Sequence, residues 1–182
     1  MLKTMKIVTE PEILHKKSKL LSREEVLSDE MQKFFGELMD FSKSGKYGVG
    51  LSAIQVNEPV AVTVVTSKPT PNRPELEVFD KICVNLKIEE GFGEKVPMWE
   101  GCCSIVGEDD LPIYAEIPRY EKVRVSYLDE KGELHDEIFE GFIGEVMQHE
   151  ADHIEGVIIT DLVDRSQFVS CDEFHKIMQE RK

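Results

Sequence analysis

Long apolar runs are absent from this sequence of 182 residues. A membrane helix needs about 20 consecutive apolar residues, so we expect no membrane-spanning segment and no membrane partner. The first residues, MLKTMKIVTEPEIL, are interrupted by Lys3, Lys6 and Glu10 and therefore lack the apolar core of a signal peptide. These absences predict a cytosol-like compartment.

Cysteine is scarce, and its 4 positions do not have the spacing of a disulfide framework. Cys102 and Cys103 are adjacent, which is a poor geometry for pairing with each other. A reducing compartment is therefore expected, where clustered cysteine and histidine more often bind metals or take part in catalysis.

Basic residues are few beside acidic ones, with 22 Lys+Arg against 36 Asp+Glu and a formal net charge of −14. Nucleic-acid binding depends on neutralising phosphates, so DNA is not an expected partner. The sequence contains 41% hydrophobic and 32% charged residues, a globular balance. Its length predicts one domain that covers residues 1–182.

Apolar residues at helical spacing predict three helices. The first follows a cap at Ser28 and ends at SGKYG, residues 44–48. The second is GFIGEVMQHEADHIEG, for which Gly156 is the C-terminal stop. The third is the tail SCDEFHKIMQERK, which begins with a capping box of Ser170 and Glu173.

Strands are predicted where β-branched or alternating residues run together. These are residues 59–66, residues 82–89, both arms of the hairpin that turns at DEKG, and the short segment VIITDL. SKPTPNRPE, residues 67–75, has three prolines and is predicted to be a loop. Strands come first and helices are not interleaved with them, so we expect an α+β fold. Mostly antiparallel sheets would pack around the helix that carries H-E-x-D-H, with a further helix at the C-terminus.

The segment QHEADHIEG places two histidines four residues apart. Residues i and i+4 are neighbours on a helix surface, so His149 and His153 can present two ring nitrogens to one metal ion. Glu150 lies about 100° round the helix from His149. There it can reach a water molecule at the metal rather than the metal itself.

A catalytic metal site of this type needs a third protein ligand. A histidine six residues beyond His153 is ruled out, because that position is Ile159. Glu173 lies twenty residues beyond His153, and a cysteine thiolate could instead come from WEGCCSIVG. On spacing alone, carboxylate and thiolate remain nearly even.

Three segments in order, GVGLSAIQ, EGCCS and QHEADHIEG, closely resemble the three motifs of the peptide deformylase family. The resemblance extends to VNL and to IPRYEKVRVSYLDEKG. It implies a metal-dependent hydrolase that removes the N-formyl group from the N-terminal methionine of new polypeptides. The implied partners are N-formylmethionyl nascent peptides, and a transient contact with the ribosome stays open.

The resemblance also implies roles for individual residues. Cys102, His149 and His153 would hold one divalent ion, Fe²⁺ or Zn²⁺ with Ni²⁺ and Co²⁺ as alternatives. Glu150 would be the catalytic acid and base, and the Gln55 amide would stabilise the oxyanion. The other implied residues are the backbone N–H of Cys103 at the oxyanion, and Val49, Gly50, Gly101, Phe142 and Val146 at the substrate.

Several positions depart from the family pattern, including Cys103 in place of leucine and Ile54 in place of proline. Ser52 stands where alanine is commoner, and Glu145 stands one turn before His149 in place of an apolar residue or arginine. A carboxylate at position 145 would affect which substrate side chain the pocket prefers. We expect Glu145 to point to solvent at the rim of the pocket.

Overall fold

The computed structural model describes residues 5–44, 49–69, 74 and 76–181. Five antiparallel strands form one sheet in the order β1-β2-β3-β4-β5. The strands are β1 Gly50–Ser52, β2 Val62–Ser67, β3 Phe79–Val106, β4 Pro112–Leu128 and β5 Leu134–Glu140. The helices are α1 Pro11–Leu14, α2 Arg23–Val26, α3 Asp29–Lys43, α4 Gly141–Glu155, α5 Ile159–Leu162 and α6 Cys171–Glu180. The α+β prediction, with an antiparallel sheet and a C-terminal helix, is confirmed.

The pairing of β3 with β4 is long and irregular. It extends from Val84 opposite Leu128 to Val106 opposite Pro112, with four register shifts along the way. Shifts of this kind bend a strand and re-aim its side chains. The last one falls between Gly101 and Val106, the stretch of β3 that contains Cys102.

Helix α4 packs across the sheet with its apolar side. Val146, Met147 and Ile154 are buried in one cluster with β4 residues such as Val123 and Val125. Met147 is fully buried, and burial of such a side chain contributes about 1.5–3 kcal/mol. The helix ends at Gly156, whose φ of 77° is left-handed, as its sequence predicted.

The capping of two further helices was also foreseen. Ser28 accepts a hydrogen bond from the backbone N–H of Met31 at 3.3 Å and starts α3. Ser170 accepts from the N–H of Glu173 at 3.3 Å and starts α6. The predicted end of the first helix at SGKYG lies mostly outside the described residues.

One predicted strand is wrong, because VIITDL contains helix α5 instead. Asp161 Oδ2 accepts the backbone N–H of Ile158 at 2.9 Å and closes a helical turn. Ile158 and Ile159 are buried in a cluster with Leu14 and Ile117, so packing overrides their β-branched preference.

The other strand predictions differ from the structure at their ends. The strand placed at residues 59–66 begins later, at Val62, and residues 82–89 form only part of β3. The predicted loop starts at the last residue of β2, Ser67, and residues 70–73 and 75 of it lie outside the described residues. Among the described residues, no helix is long and apolar enough to cross a membrane.

Candidate metal centre

The three predicted metal ligands meet between α4 and β3. The i,i+4 spacing places the rings of His149 and His153 on one side of α4, with their centroids 4.9 Å apart. Cys102 faces them from β3, and its Sγ lies 3.3 Å from His153 Nε2. One ligand atom from each of the three residues lies within 4.8 Å of the others.

This donor set fits a divalent transition metal. A thiolate and two imidazoles suit iron, zinc, cobalt or nickel. His149 Nδ1 lies 2.9 Å from Glu100 Oε2, which leaves Nε2 for a metal. Burial lowers the pKa of His153 well below its ordinary value, and the neutral imidazole is the form that binds a metal.

A buried ionic network orients His149 through its Nδ1 atom. Arg119 Nε and Nη2 donate to the Glu100 carboxylate at 2.6 and 3.1 Å, and Arg119 Nη1 donates to Asp152 Oδ2 at 2.6 Å. Burial opposes the charged form of His149, yet the hydrogen bond and negative charge of Glu100 raise its pKa overall. The carboxylate therefore fixes the tautomer and the direction of this imidazole.

Three members of this network carried no assigned role in the sequence. Two of the three could be found from the sequence once a metal site is assumed. Glu100 is two residues before Cys102 and so faces the same side of the strand. Asp152 is i+3 from His149 on the same helix. Arg119 lies 33 residues from Asp152 in the chain, and its position follows only from the β3–β4 pairing.

Glu150 is buried beside the metal ligands. Ser52 Oγ donates to Glu150 Oε2 at 2.6 Å and lies 2.5 Å from Thr63 Oγ1. Burial raises the pKa of Glu150 above its ordinary value. A side chain at Gly50 would meet Glu150, because an added Cβ would lie 2.2 Å from Oε1. Glycine thus leaves the room that this carboxylate occupies.

Gln55 lies next to Cys102. It belongs to a short 3-10 turn, Ala53–Val56. Its Oε1 accepts the backbone N–H of Ser52 at 2.9 Å. This bond orients the amide so that Nε2 points toward Cys102 Sγ, 3.4 Å away, and Ser104 Oγ, 3.2 Å away. Cys103 is half-buried, and its Sγ also lies 3.4 Å from Gln55 Nε2.

A cavity of about 300 Å³ opens over this cluster. With the exception of His153, all residues predicted for the site line it, including those assigned to the substrate. Those are Val49, Gly50, Gly101, Phe142 and Val146. Three aromatic residues that the sequence did not single out for the site line it as well: Trp99, Tyr114 and Phe174.

The sequence singles out two further acidic residues, Glu145 and Glu173. Glu145 is half-buried and is among the residues that line the cavity, because it is i−4 from His149 on the same side of α4. Glu173 lies exposed in the first turn of α6. Among the described residues, the group that could hold a metal contains Cys102 rather than Glu173.

The family model for polypeptide deformylases matches residues 4–168 of the chain. This chain belongs to the peptide deformylase family. The peptide deformylase of Aquifex aeolicus is 31% identical over 159 residues, which cover 87% of this chain and 88% of that protein. That of Wolinella succinogenes is 30% identical over 176 residues, covering 97% and 96%.

A solved deformylase structure has the same fold. The Met-Ala-Ser-bound class I type b peptide deformylase from Acinetobacter baumannii superposes with a TM-score of 0.78 at 28% identity. The superposition covers 90% of this chain and 100% of that one. The chain is thus a deformylase hydrolase of the family that removes the N-formyl group from the N-terminal methionine of nascent peptides.

Proposed function

We propose that Cys102, His149 and His153 hold the catalytic metal of this deformylase and that the cavity above them binds the formylated end of a peptide. The observation that carries the proposal is the convergence of one thiol and two imidazoles within 4.8 Å, with Glu150 buried beside them. We further propose that residues 1–182 act as one catalytic domain.

The metal is proposed to be Fe²⁺ or Zn²⁺, with Ni²⁺ and Co²⁺ as further ions that suit the same ligands. When bound, such an ion supplies a nucleophile from water at neutral pH and polarises the formyl carbonyl. Metal analysis after anaerobic purification identifies the ion, since oxidation alters ferrous sites and thiolates.

Glu150 is proposed to move the proton. Its carboxylate takes a proton from the attacking water and delivers it to the departing amine of the methionine. The hydrogen bond from Ser52 orients Oε2, and the side chain lines the cavity. Formate and a free amino terminus are the products.

Gln55 and the backbone N–H of Cys103 are proposed to stabilise the oxyanion. Negative charge develops on the formyl oxygen as the carbonyl becomes tetrahedral, and donors fixed in advance stabilise that charge. The Gln55 amide is fixed by Ser52 and buried next to Cys102. The Cys103 role needs only a main-chain donor, so cysteine in place of leucine is compatible with it.

Gln55→Ala is expected to lower turnover with formyl-Met-Ala-Ser by about 10²–10³-fold, because it removes one oxyanion donor. Formate release by purified protein with measured metal content gives the answer. Ser104→Ala is the matched control, since it removes a neighbour of the same amide without removing the donor. The control should lose no more than roughly fivefold, and equal losses in both variants would contradict the role of Gln55.

Glu100→Gln is expected to weaken metal affinity by about 10–100-fold, because the carboxylate that orients His149 loses its charge. Competition with a chelator measures the change. Glu90→Gln is a suitable comparison on the same strand, because that side chain is 53% exposed and pairs only at the surface with Arg124. Unchanged affinity in Glu100→Gln would show that the network serves folding alone.

The peptide is proposed to lie extended between two strand edges. Val49, Gly50 and Gly101 all line the cavity, and an extended peptide can add to a strand edge by main-chain hydrogen bonds. Phe142 and Val146 on α4 would contact the methionine side chain. The Acinetobacter relative was crystallised with Met-Ala-Ser bound, which supports a peptide in this place.

The cellular setting is proposed to be a bacterial-type cytoplasm or an organelle, where formylated nascent chains are made. The net charge of −14 argues against a broad electrostatic contact with ribosomal RNA. A transient ribosome contact is testable by co-sedimentation of the protein with purified ribosomes at low salt. Protein that pellets in the presence of ribosomes but stays in the supernatant without them would support the contact.

The direct test of the proposed function compares three peptides. Formyl-Met-Ala-Ser should release formate in proportion to bound metal, whereas the acetylated peptide should release no acetate and the unformylated peptide should remain intact. We expect this discrimination because formyl is the smallest acyl group, and a narrow site at the metal would exclude larger ones. Protein that carries a full complement of metal yet releases no formate would overturn the proposal.

A further inference from the structure

Part of the cavity lining is aromatic. We call this part the aromatic wall, and it consists of Trp99, Tyr114 and Phe174. The rings of Tyr114 and Phe174 are stacked, with centroids 4.1 Å apart and planes inclined by 4°. Trp99 lies 5.4 Å from Phe174, inclined by 48°. All three side chains line the cavity, so the wall is one continuous apolar surface.

Phe174 belongs to a part of the chain that the family match does not cover. The match ends at residue 168, and α6 begins at Cys171. Helix α6 has no fully buried residue. Its contribution to the site is therefore a ring placed against Tyr114.

Two contacts hold α6 against the sheet. Just before the helix, Val169 and Tyr114 exchange backbone hydrogen bonds of 2.8 and 3.0 Å. At its end, Arg181 donates to Glu116 at 3.0 Å, and its guanidinium lies 5.7 Å from the centre of the Trp99 ring. Phe174 is thus fixed between two anchors, which suits a surface that must discriminate between ligands.

Strand alternation decides which part of a peptide meets this wall. Glu100 and Cys102 are buried on the metal side of β3, whereas Trp99 and Gly101 point to the other side. Tyr114 lies opposite Gly101 across the strands, and a Cβ at Gly101 would come within 2.5 Å of the Tyr114 ring. The glycine therefore leaves space for the wall to approach the strand edge.

An extended peptide beside this edge follows the same alternation. With its formyl group at the metal, its first side chain turns toward α4, where Phe142 and Val146 line the cavity. Its second side chain then turns the opposite way. That direction leads to the aromatic wall.

We propose that the aromatic wall binds the side chain of the residue that follows formylmethionine and that Phe174 gives this chain a preference for a large aromatic residue there. The inference rests on the proposed function, because it takes the formyl group to lie at the metal. An aromatic ring gains both burial and ring-to-ring contact on such a surface. A cationic side chain gains less, since the Arg181 guanidinium already lies over Trp99 and would repel it.

The kinetic test compares formyl-Met-Phe-Ser with formyl-Met-Ala-Ser. In the unaltered protein the first peptide should have a kcat/KM about two- to tenfold higher, the range for aromatic pair contacts. Phe174→Ala and Phe174→Leu should bring the two kcat/KM values together, because the ring that favours the aromatic side chain is lost. Ile177→Ala is the matched control: this half-buried residue of α6 is not among those that line the cavity, and its substitution should retain the preference.

A second readout does not depend on turnover. The chain has one tryptophan, so the fluorescence of Trp99 reports on the wall directly. Titration with the product Met-Phe-Ser should change that fluorescence at lower concentration than Met-Ala-Ser does. The difference should disappear in Phe174→Ala, because the contact that produces it is lost.

Two outcomes would overturn the inference, and they are distinguishable. If formate is released but the two peptides react equally in the unaltered protein, or lose activity equally in Phe174→Ala, the wall has no part in selection. If neither peptide releases formate from metal-loaded protein, the proposed function fails and the inference fails with it.

Discussion

Glu150→Gln is expected to lower formate release from formyl-Met-Ala-Ser by about 10²–10⁴-fold, the contribution typical of a positioned acid and base. Glutamine has the same shape, and its carbonyl oxygen can still accept the hydrogen bond from Ser52 that Glu150 accepts at 2.6 Å. The loss would therefore come from proton transfer alone. Metal content should equal that of the unaltered protein, as measured by elemental analysis of the same sample.

The control for this substitution is Glu155→Gln on the same helix. Its carboxylate is 56% exposed and pairs with Lys17 at the surface, so turnover should not change. A Glu150→Gln variant with normal turnover would exclude this residue as the acid and base. A variant that loses turnover and metal together would indicate a ligand or folding role instead.

Cys102→Ala is expected to have the other large effect, a chain with far less than one metal ion and a turnover at least roughly 10³-fold lower. Removing the thiolate leaves two imidazoles, fewer than the three protein ligands of a catalytic site. Cys102 is 3% exposed, and alanine fits the same strand without adding volume. Elemental analysis and formate release on one preparation measure both parts of the prediction.

Cys103→Ala is the matched control, because it removes a thiol one residue away without touching the proposed ligand set. It should keep its metal, and its main-chain N–H remains available to the oxyanion. Glu173→Gln should also keep its metal, since that side chain is exposed on α6. Normal metal content in Cys102→Ala together with a loss in Glu173→Gln would reverse the assignment of the third ligand.

The parts of the site that depend on local spacing could be predicted from the sequence. His149 and His153 needed only the geometry of a helix, and the helix stop at Gly156 followed from glycine's freedom at φ of 77°. Cys102 and Gln55 needed the resemblance, because spacing alone left thiolate and carboxylate nearly even. The hairpin of β4 and β5 followed from alternation on both sides of DEKG.

The parts of the structure that depend on long-range packing could not be predicted from the sequence. VIITDL reads as a strand because its residues are β-branched, but an Asp161 cap and a buried cluster with Leu14 make it helical. Phe174 follows a helical pattern that suggests a packing face without naming its partner, Tyr114, 60 residues earlier. Helix geometry indicates that Glu145 lies among the residues that line the cavity, but the sequence does not fix the direction of its carboxylate.

The contact between Ser52 and Glu150 makes the two carboxylate oxygens inequivalent. Oε2 is tied to a serine that is itself next to Thr63, whereas Oε1 lies in the space that the missing side chain of Gly50 leaves. In the proposed mechanism, Oε1 is therefore the favoured oxygen for both proton transfers, because Oε2 already accepts the hydroxyl of Ser52. Ser52, which replaces the family's commoner alanine, would thus assign both proton transfers of the proposed mechanism to a single oxygen of Glu150.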